Sequence, residues 1–253
     1  RLSSMCLPST YISLWVAYRN RYRSVIGRMR CPFTGFGGEL KRLVQPVWSD
    51  THMPSVPLDV GMITNLAAGQ QVFTSNVFLV TGERTVLVDV GNDFDVCSAA
   101  REHVDEIDAV VLTHTHPDHV GNLDTVVSEF DVDVWGFDPD VSGVDHAIED
   151  GEDVQLGDDV YTALHTPGHK NDHLCLYARA PGILIAGDLI FANGGFGRTD
   201  LEEGDRQQLL ESIDRVRETV DDTLGELHCG HGPSVTNQPF DHVELAAQAA
   251  RFG

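Results

Sequence analysis

The stretch Thr113-His114-Thr115-His116-Pro117-Asp118-His119 comes directly after the apolar run 109–112. It places three imidazoles and one carboxylate within six consecutive positions. Imidazole nitrogens with a carboxylate oxygen suit Zn²⁺, Fe²⁺ or Mn²⁺ in a site that stays partly open to water. A polar loop that happens to be rich in histidine is the alternative, but metal ligands cluster in this way and core histidines do not.

The spacing of these residues also predicts their geometry. If 108–113 is a strand, His114 and His116 lie two positions apart at its end and point the same way. Pro117 has the fixed φ of a first helical residue, so the two residues after it lie in a turn that faces the same place. The stretch is therefore predicted to be a metal-binding loop between a strand and a helix.

Composition and charge exclude several classes of partner. The chain has 253 residues, 42% of them hydrophobic, and a formal net charge of −22. The first 57 residues carry eight basic and two acidic side chains, a net charge of +6, so the remainder carries −28. Such an acidic body repels nucleic acid phosphates and anionic membranes. An acid-rich chain with only two lysines also favours a halophilic source, because strong salt screens the self-repulsion.

The cysteine pattern indicates the cellular compartment of the protein. Five cysteines are scattered without CxxC spacing, which indicates reduced thiols of an intracellular protein and not a disulfide framework. No apolar run approaches the roughly 18 residues that span a bilayer. We therefore expect a cytoplasmic protein, with homo-oligomerisation left open.

Residues 1–57 differ in composition from the rest of the chain. They mix arginine and serine with aromatic residues and contain no acid before Glu39. An organelle transit peptide is one interpretation. A disordered extension, or upstream sequence with Met53 as the true start, agrees better with the abrupt change in composition. We assign 1–57 as an atypical basic extension, disordered or not native, and 58–253 as the domain.

From Pro57 onward the pattern predicts alternating strands and helices. Apolar and β-branched runs between turn residues predict strands at 60–65, 72–80, 85–90, 108–113, 132–135, 154–156, 160–164, 174–177, 183–186 and 226–228. Helical spacing predicts helices at 96–103, from Pro117 to about 130, at 205–220 and at 239–251. Segment 138–151 is predicted to be a surface loop or short helix. Two such halves can pack sheet against sheet with helices outside.

Three later strand ends carry matching ligands. They are Thr166-Pro167-Gly168-His169, Ala186-Gly187-Asp188 and Cys229-Gly230-His231-Gly232. The glycines allow close approach of the backbone. Each motif is weak alone, since a Gly-Asp pair is most often a turn. Together with the first stretch they indicate one site.

These motifs, HTHPDH, TPGH, GD and GHG in this order, resemble the metallo-β-lactamase-fold hydrolase superfamily over about residues 58–253. The resemblance implies a mixed α/β fold, a four-layer αββα sandwich with a dinuclear site in the cleft between its halves. It implies two divalent metal ions as cofactors, zinc first, with iron or manganese as alternatives. By motif position, the ligands of the first metal are His114, His116 and His169, those of the second are Asp118, His119 and His231, and Asp188 bridges.

Further features resemble the glyoxalase II-like branch. Asp188 stands where one class of true β-lactamases has a cysteine, and a histidine follows Asp118. Segments 187–191 and 197–201 resemble hydroxyacylglutathione hydrolase-like proteins and also persulfide dioxygenases. In those relatives the matching arginine helps to hold the carboxylate of the thiol substrate, which implies a substrate-binding role for Arg198. A structural salt bridge is the alternative.

Two features depart from glyoxalase II. The glycine common before its second histidine is absent from Lys170-Asn171-Asp172-His173. Only 22 residues follow His231, fewer than in the helical part with which glyoxalase II grips glutathione. Strict specificity for S-lactoylglutathione is therefore not expected. Among the remaining histidines, only His173 is a candidate to support a ligand from behind, and Cys229 is expected to be a buried apolar residue.

Two functional hypotheses follow. The first is a metal-dependent hydrolase that uses a metal-bound hydroxide on a small thioester or related ester, with catalytic roles for Asp118 and Asp188. The second is a mononuclear iron persulfide dioxygenase, with His114, His169 and Asp188 forming a face open to O₂. A complete ligand set on an open site disfavours metal storage or a pseudoenzyme. The expected partner is a small-molecule thioester or thiol-derived substrate.

Overall fold

The computed structural model describes residues 62–252. The interpretation of 1–57 as an extension, and the first residues of the predicted strand 60–65, lie outside this range. No helix within residues 62–252 is long and apolar enough to cross a membrane.

The secondary structure of the described range follows the predicted alternation. Its strands are β1 Ile63–Asn65, β2 Phe78–Val80, β3 Val86–Val88, β4 Ala109–Val111, β5 Val134–Gly136, β6 His146–Ala147, β7 Asp153–Leu156, β8 Asp159–His165, β9 Leu174–Ala178, β10 Ile183–Gly187, β11 Ile190–Phe191, β12 Gly195–Phe196 and β13 Glu226–Cys229. Its helices are α1 Val96–Arg101, α2 Pro117–Val120, α3 Leu123–Phe130, α4 Arg206–Thr219 and α5 Pro239–Phe252, with a 3-10 turn at Ala192–Gly194.

Two large sheets carry the fold, with strand orders β1-β2-β3-β4-β5-β6 and β13-β10-β9-β8-β7. β1, β2 and β3 form the predicted antiparallel meander, and β3 to β6 run parallel. In the second sheet β9 is antiparallel to both β8 and β10, whereas β10 is parallel to β13. The chain therefore leaves β8, β10 and β13 at the same edge of this sheet.

Three apolar layers show how sheets and helices stack. The middle layer joins side chains of both sheets, such as Val88 and Val111 from the first and Leu176 from the second. A second layer packs α1 and α3 on the outer face of the first sheet. A third packs α4 and α5 on the second sheet. Burial of these apolar surfaces drives the stacking, and its order is the predicted αββα sandwich.

Three predicted elements differ from the structure for reasons of hydrogen bonding. The predicted strand 72–80 shortens to β2, because Ser75 N–H donates to the Asp118 carbonyl (3.0 Å) and Asn76 N–H to the Gly230 carbonyl (2.7 Å). The helix after Pro117 breaks between α2 and α3, since Asn122 N–H donates to the Gly91 carbonyl (3.1 Å). Segment 138–151, predicted as a loop or helix, contributes β6, which pairs with β5.

Candidate metal centre

Four loops, each beginning where a strand ends, deliver the candidate ligands. They follow β4, β8, β10 and β13, and α2 begins within the first of them. Two glycines let these loops pack closely. A Cβ on Gly168, whose φ is +126°, would collide with the backbone of Leu209, and one on Gly230 would collide with the Asp188 carboxylate. The sequence therefore permits close approach at the positions where ligands must converge.

Asp188 lies at the centre of the cluster. Its Oδ2 is 3.4 Å from His169 Nε2 and 3.4 Å from His231 Nε2. Its Oδ1 is 3.5 Å from His119 Nε2. One carboxylate thus faces candidate ligands from the other loops of both sheets, while its bridging role stays a prediction.

The ligand atoms fall into three overlapping groups. Within each group, the atoms that could bind a cation lie within 4.8 Å of one another. The groups are His114, His116 and His169; His114, His119 and Asp188; and Asp118, His119 and His231. The structure brings together all seven predicted ligands, while their occupancy by metal stays a prediction.

Unpartnered buried atoms test whether a cation fits. His114 Nε2, His119 Nε2 and Asp188 Oδ1 are buried and have no hydrogen-bond partner within the described part of the chain. A buried polar atom without a partner is destabilising. Bound cations would satisfy these atoms together, and imidazole with carboxylate is a donor set that suits Zn²⁺, Fe²⁺ and Mn²⁺. The residues present therefore fit divalent metals.

Asp89 holds the first loop from behind. Its Oδ2 accepts hydrogen bonds from the Thr113 hydroxyl (2.7 Å) and from His119 Nδ1 (2.8 Å), and its Oδ1 accepts one from Thr113 N–H (2.8 Å). The Thr113 oxygen in turn lies 3.1 Å from His114 Nδ1. These bonds assign the protons to the Nδ1 atoms, so the Nε2 atoms of both rings are free to bind a cation.

Two further contacts orient ligands of the other loops. His169 Nδ1 donates to the Arg198 carbonyl (2.8 Å), which leaves Nε2 directed into the cluster. The Asp188 N–H donates to His173 Nε2 (2.9 Å), and His173 Nδ1 lies 2.8 Å from the Thr166 hydroxyl. These contacts agree with the interpretation of His173 as a residue behind the ligands. Cys229 is fully buried, as expected for an apolar role.

Burial keeps three of the imidazoles neutral. It lowers the pKa of His116 to about 4, with His169 and Lys170 adding to the effect, and that of His173 to about 3. It also lowers the pKa of His114 well below its usual value. A neutral imidazole is the form that binds a metal, so His114 and His116 need not lose a proton on binding.

The carboxylates of the cluster have the opposite effect on their neighbours. Burial opposes the charged form of His119, but Asp89 and Asp188 raise its pKa to about 10. For His231, burial is likewise outweighed by Asp118 and Asp188, which raise its pKa to about 9. Contacts with the same two histidines, at 3.5 Å from His119 Nε2 and 3.4 Å from His231 Nε2, outweigh burial and hold the pKa of Asp188 well below its usual range. The carboxylates therefore attract positive charge, which protons or metal ions can supply.

The cluster opens into a cavity of about 550 Å³. Ligands form its floor, and four large apolar side chains line it: Phe73, Phe191, Phe196 and Leu201. Arg198, the predicted substrate-binding residue, also lines it. Its guanidinium donates two hydrogen bonds to Asp200, from Nε to Oδ1 (2.6 Å) and from Nη2 to Oδ2 (2.7 Å).

The sequence interpretation did not assign a role to Asp89, to Thr113 or to the apolar side chains of the cavity wall. A signal for Asp89 was present, because it follows the β-branched run of β3 and precedes Gly91, the strand-end pattern that marked the other motifs. Phe73 lay inside a predicted strand, and its ring is 6.5 Å from that of His231 only because the 72–77 segment bonds to the Gly230 loop.

Comparison with known proteins is consistent with this geometry. The profile of the metallo-beta-lactamase superfamily matches residues 71–235. A hydroxyacylglutathione hydrolase of Salmonella paratyphi A is 33% identical over 159 residues, which are 62% of this chain and 61% of that protein. The chain thus spans less than two thirds of the length of this relative.

Two solved structures share the fold. The BLEG-1 B3 metallo-beta-lactamase is 27% identical with a TM-score of 0.61, over 73% of this chain and 99% of that one. TTHA1623, solved in a di-iron-bound form, is 26% identical with a TM-score of 0.59, over 74% of this chain and 96% of that one.

Proposed function

Because this chain belongs to the metallo-beta-lactamase superfamily, we propose that it is a metal-dependent hydrolase of a small thioester or related ester. One observation carries the proposal: buried, unpartnered ligand atoms meet around Asp188 at the floor of an open cavity. The hydroxyacylglutathione hydrolase to which it is similar supports a thioester as the substrate.

The proposed ligand sets follow from the three groups of atoms. His114, His116 and His169 would hold one cation, Asp118, His119 and His231 a second, and Asp188 would contact both. Divalent cations bound there would lower the pKa of a coordinated water to about 7 and polarise the substrate carbonyl.

The remaining chemistry falls to side chains of the chain itself. In thioester hydrolysis the water oxygen bonds to the carbonyl carbon and the carbon–sulfur bond breaks, giving a carboxylic acid and a thiol. Asp118 lines the cavity, and its Oδ2 lies 3.0 Å from His231 Nε2. It can accept a hydrogen bond from the attacking water and orient that water towards the carbonyl. A leaving thiol with a pKa of about 8.5 departs without a strong general acid.

The cavity and the charge of the chain support a small-molecule substrate. A volume of about 550 Å³ is in the range of small-molecule sites. Arg198 on its wall is proposed to contact the substrate. The net charge of −22 opposes binding of nucleic acid.

The test combines elemental analysis of the purified protein with release of thiol from a neutral thioester. We expect about two divalent metal ions per chain and activity that a chelator removes and added metal restores. His169→Ala should abolish activity, whereas His103→Ala, at an exposed position outside the site, is the matched control. Hydrolysis that survives both chelation and His169→Ala would contradict the proposal.

A second candidate function rests on a subset of the same ligands. His114 and Asp188 share one group, and His169 Nε2 lies 3.4 Å from Asp188, so two histidines and one carboxylate could form the face used by mononuclear iron oxygenases. One iron per chain, with O₂ consumed in the presence of a thiol persulfide and no thioester hydrolysis, would favour this dioxygenase.

A further inference from the structure

The walls of the cavity are apolar close to the reactive floor. The rings of Phe73 and Phe191 lie 6.5 Å and 6.3 Å from the ring of His231. Phe73 is 77% exposed and Leu201 is 40% exposed, although both are large apolar side chains. Exposed apolar residues gathered around a polar site indicate a binding surface for an apolar group.

The positively charged side chain on the cavity wall, Arg198, already has an acidic partner. Among the described residues that line the cavity, Arg198 is the only arginine or lysine. Asp200 binds it through both oxygens, at 2.6 Å and 2.7 Å, in the two-point geometry that a substrate carboxylate would use. An anionic substrate must therefore displace Asp200 or bind beside it.

The charge of the rest of the chain adds to this effect. The net charge of the chain is −22, and such an excess of negative charge disfavours the approach of anions to the protein as a whole. Lys170 does not compensate, because its ammonium group is bound by Glu203 at 3.0 Å and lies 3.5 Å from Asp172.

We propose that this site prefers uncharged, apolar thioesters to anionic ones, and that Asp200 sets this preference by occupying Arg198. The inference rests on the proposed function and narrows its substrate class. Asp200 would thus determine specificity without touching the substrate, because it occupies the guanidinium of Arg198.

The test uses the full chain loaded with metal and three thioesters of the neutral thiol N-acetylcysteamine. Their acyl groups are acetyl, phenylacetyl and 4-carboxyphenylacetyl, so the last two differ only in one carboxylate. We expect kcat/KM for phenylacetyl to exceed that for each of the other two about tenfold, the scale of discrimination that an apolar pocket gives.

Substitutions then separate the role of Asp200 from general charge. Asp200→Asn should lower the ratio of phenylacetyl to 4-carboxyphenylacetyl kcat/KM about two- to fivefold, which corresponds to the strength of an exposed ion pair. Glu202→Gln is the matched control, because it removes one charge at an exposed position without an ion pair to Arg198 in the described structure. The ratio should stay at its wild-type value in Glu202→Gln.

Binding of non-hydrolysable thioether analogues separates this inference from the proposed function. If none of the three thioesters is hydrolysed but the uncharged phenylacetyl analogue binds more tightly than the carboxylated one, the proposed hydrolase is wrong and the preference of the cavity stands. Equal or tighter binding of the carboxylated analogue would overturn the inference. So would an equal change of the ratio in Asp200→Asn and Glu202→Gln.

Discussion

Asp89 fixes the geometry of the loop at 113–119 through three hydrogen bonds. It is buried, with 2% exposure, and its backbone has a φ of +59°, in the left-handed region that aspartate and asparagine tolerate best after glycine. From this position it binds Thr113 and His119 at once. Asparagine at this position keeps the shape and the backbone conformation but removes the charge that orients His119.

We predict that Asp89→Asn weakens metal binding about 10- to 100-fold, the usual effect of losing a partner behind a metal ligand. The measurement is a competition titration with a chromophoric chelator. Asp93→Asn is the matched control, because Asp93 also has a left-handed φ of +57° and is exposed. Equal metal affinity of Asp89→Asn and the control would return Asp89 to a purely structural role.

Asp188 is the residue that links the ligand groups. We predict that Asp188→Ala abolishes binding of the metal pair and activity while leaving the fold largely intact, because the side chain faces the site and not the apolar layers. Metal content per chain and far-ultraviolet circular dichroism measure the two effects. Wild-type metal stoichiometry in the variant would refute the bridging role.

At the scale of elements, parallel strand directions explain why the ligand loops meet. β8, β10 and β13 run the same way and each ends in a loop with one ligand. The loop between β1 and β2 joins them through Asn76, whose Nδ2 donates to the carbonyls of Cys229 (2.8 Å) and Gly232 (2.9 Å). The two sheets are therefore tied together next to the site.

A second tie joins α4 to the end of β8. Arg215 donates to the His165 carbonyl (2.7 Å) and to both oxygens of Asp150 (2.7 Å and 3.0 Å). Asp150 also accepts the His165 N–H at 2.8 Å. Burial opposes ionisation of Asp150, but Arg215 and the His165 N–H outweigh it and lower its pKa. This cluster fixes the strand end that leads into the His169 loop.

We predict that Arg215→Met lowers the free energy of unfolding by about 1 kcal/mol near neutral pH, since the partly exposed pair is screened by solvent. Because the pKa of Asp150 is depressed in the folded state, its contribution is present above its unfolded pKa of about 3.9 and is lost as pH falls through the lower folded value. The difference in the free energy of unfolding between wild type and variant should therefore decrease below about pH 4.

Urea unfolding at several pH values measures this difference. Arg217→Met on the same helix is the control, because the acidic partner of Arg217 is Asp214 of α4 itself, at 3.5 Å, so this substitution leaves the pair of Arg215 with Asp150 in place. If the decrease in the free energy of unfolding caused by Arg215→Met is independent of pH, the effect comes from packing and not from the ion pair with Asp150.

At the scale of the whole molecule, the acidic charge dominates the response to salt. The chain has 39 acidic and 17 basic residues. Arginines of the described part mostly have acidic partners already, such as Arg101 with Glu129 and Arg251 with Asp214, so the remaining carboxylates repel one another. The proposed halophilic character of the protein rests on this excess.

We predict that Tm rises as KCl increases from about 0.1 M to about 2 M, because the Debye length falls from about 10 Å to below about 3 Å. Differential scanning calorimetry measures the shift, and equimolar sucrose separates charge screening from exclusion of a cosolvent. A Tm that stays constant or falls with KCl would contradict the proposal.

Local patterns in the sequence were sufficient to predict most elements of the fold and the candidate ligands, and the resemblance to the superfamily supplied the order of the layers. Apolar, β-branched runs mark buried strands and helical spacing marks the buried face of a helix, so most strands other than 72–80, and helices such as 205–220, were predicted close to their observed bounds. The ligands could be identified because imidazoles and carboxylates at strand ends, with glycines beside them, form motifs that a single segment contains.

Tertiary structure alone decided what depends on contacts between distant segments. The 72–77 segment is not part of the predicted strand, because its backbone N–H groups donate hydrogen bonds to the carbonyls of residues 118 and 230. Asp89 acquired its role from Thr113 and His119, two residues of one loop that lie 24 and 30 positions further along the chain. The apolar walls of the cavity come from three separate segments. The pairing of Arg198 with Asp200 is relevant to substrate binding only because the folded chain places Arg198 on the wall of that cavity. Sequence patterns report which side of an element is buried, whereas the partner across the interface is set by packing of the whole chain.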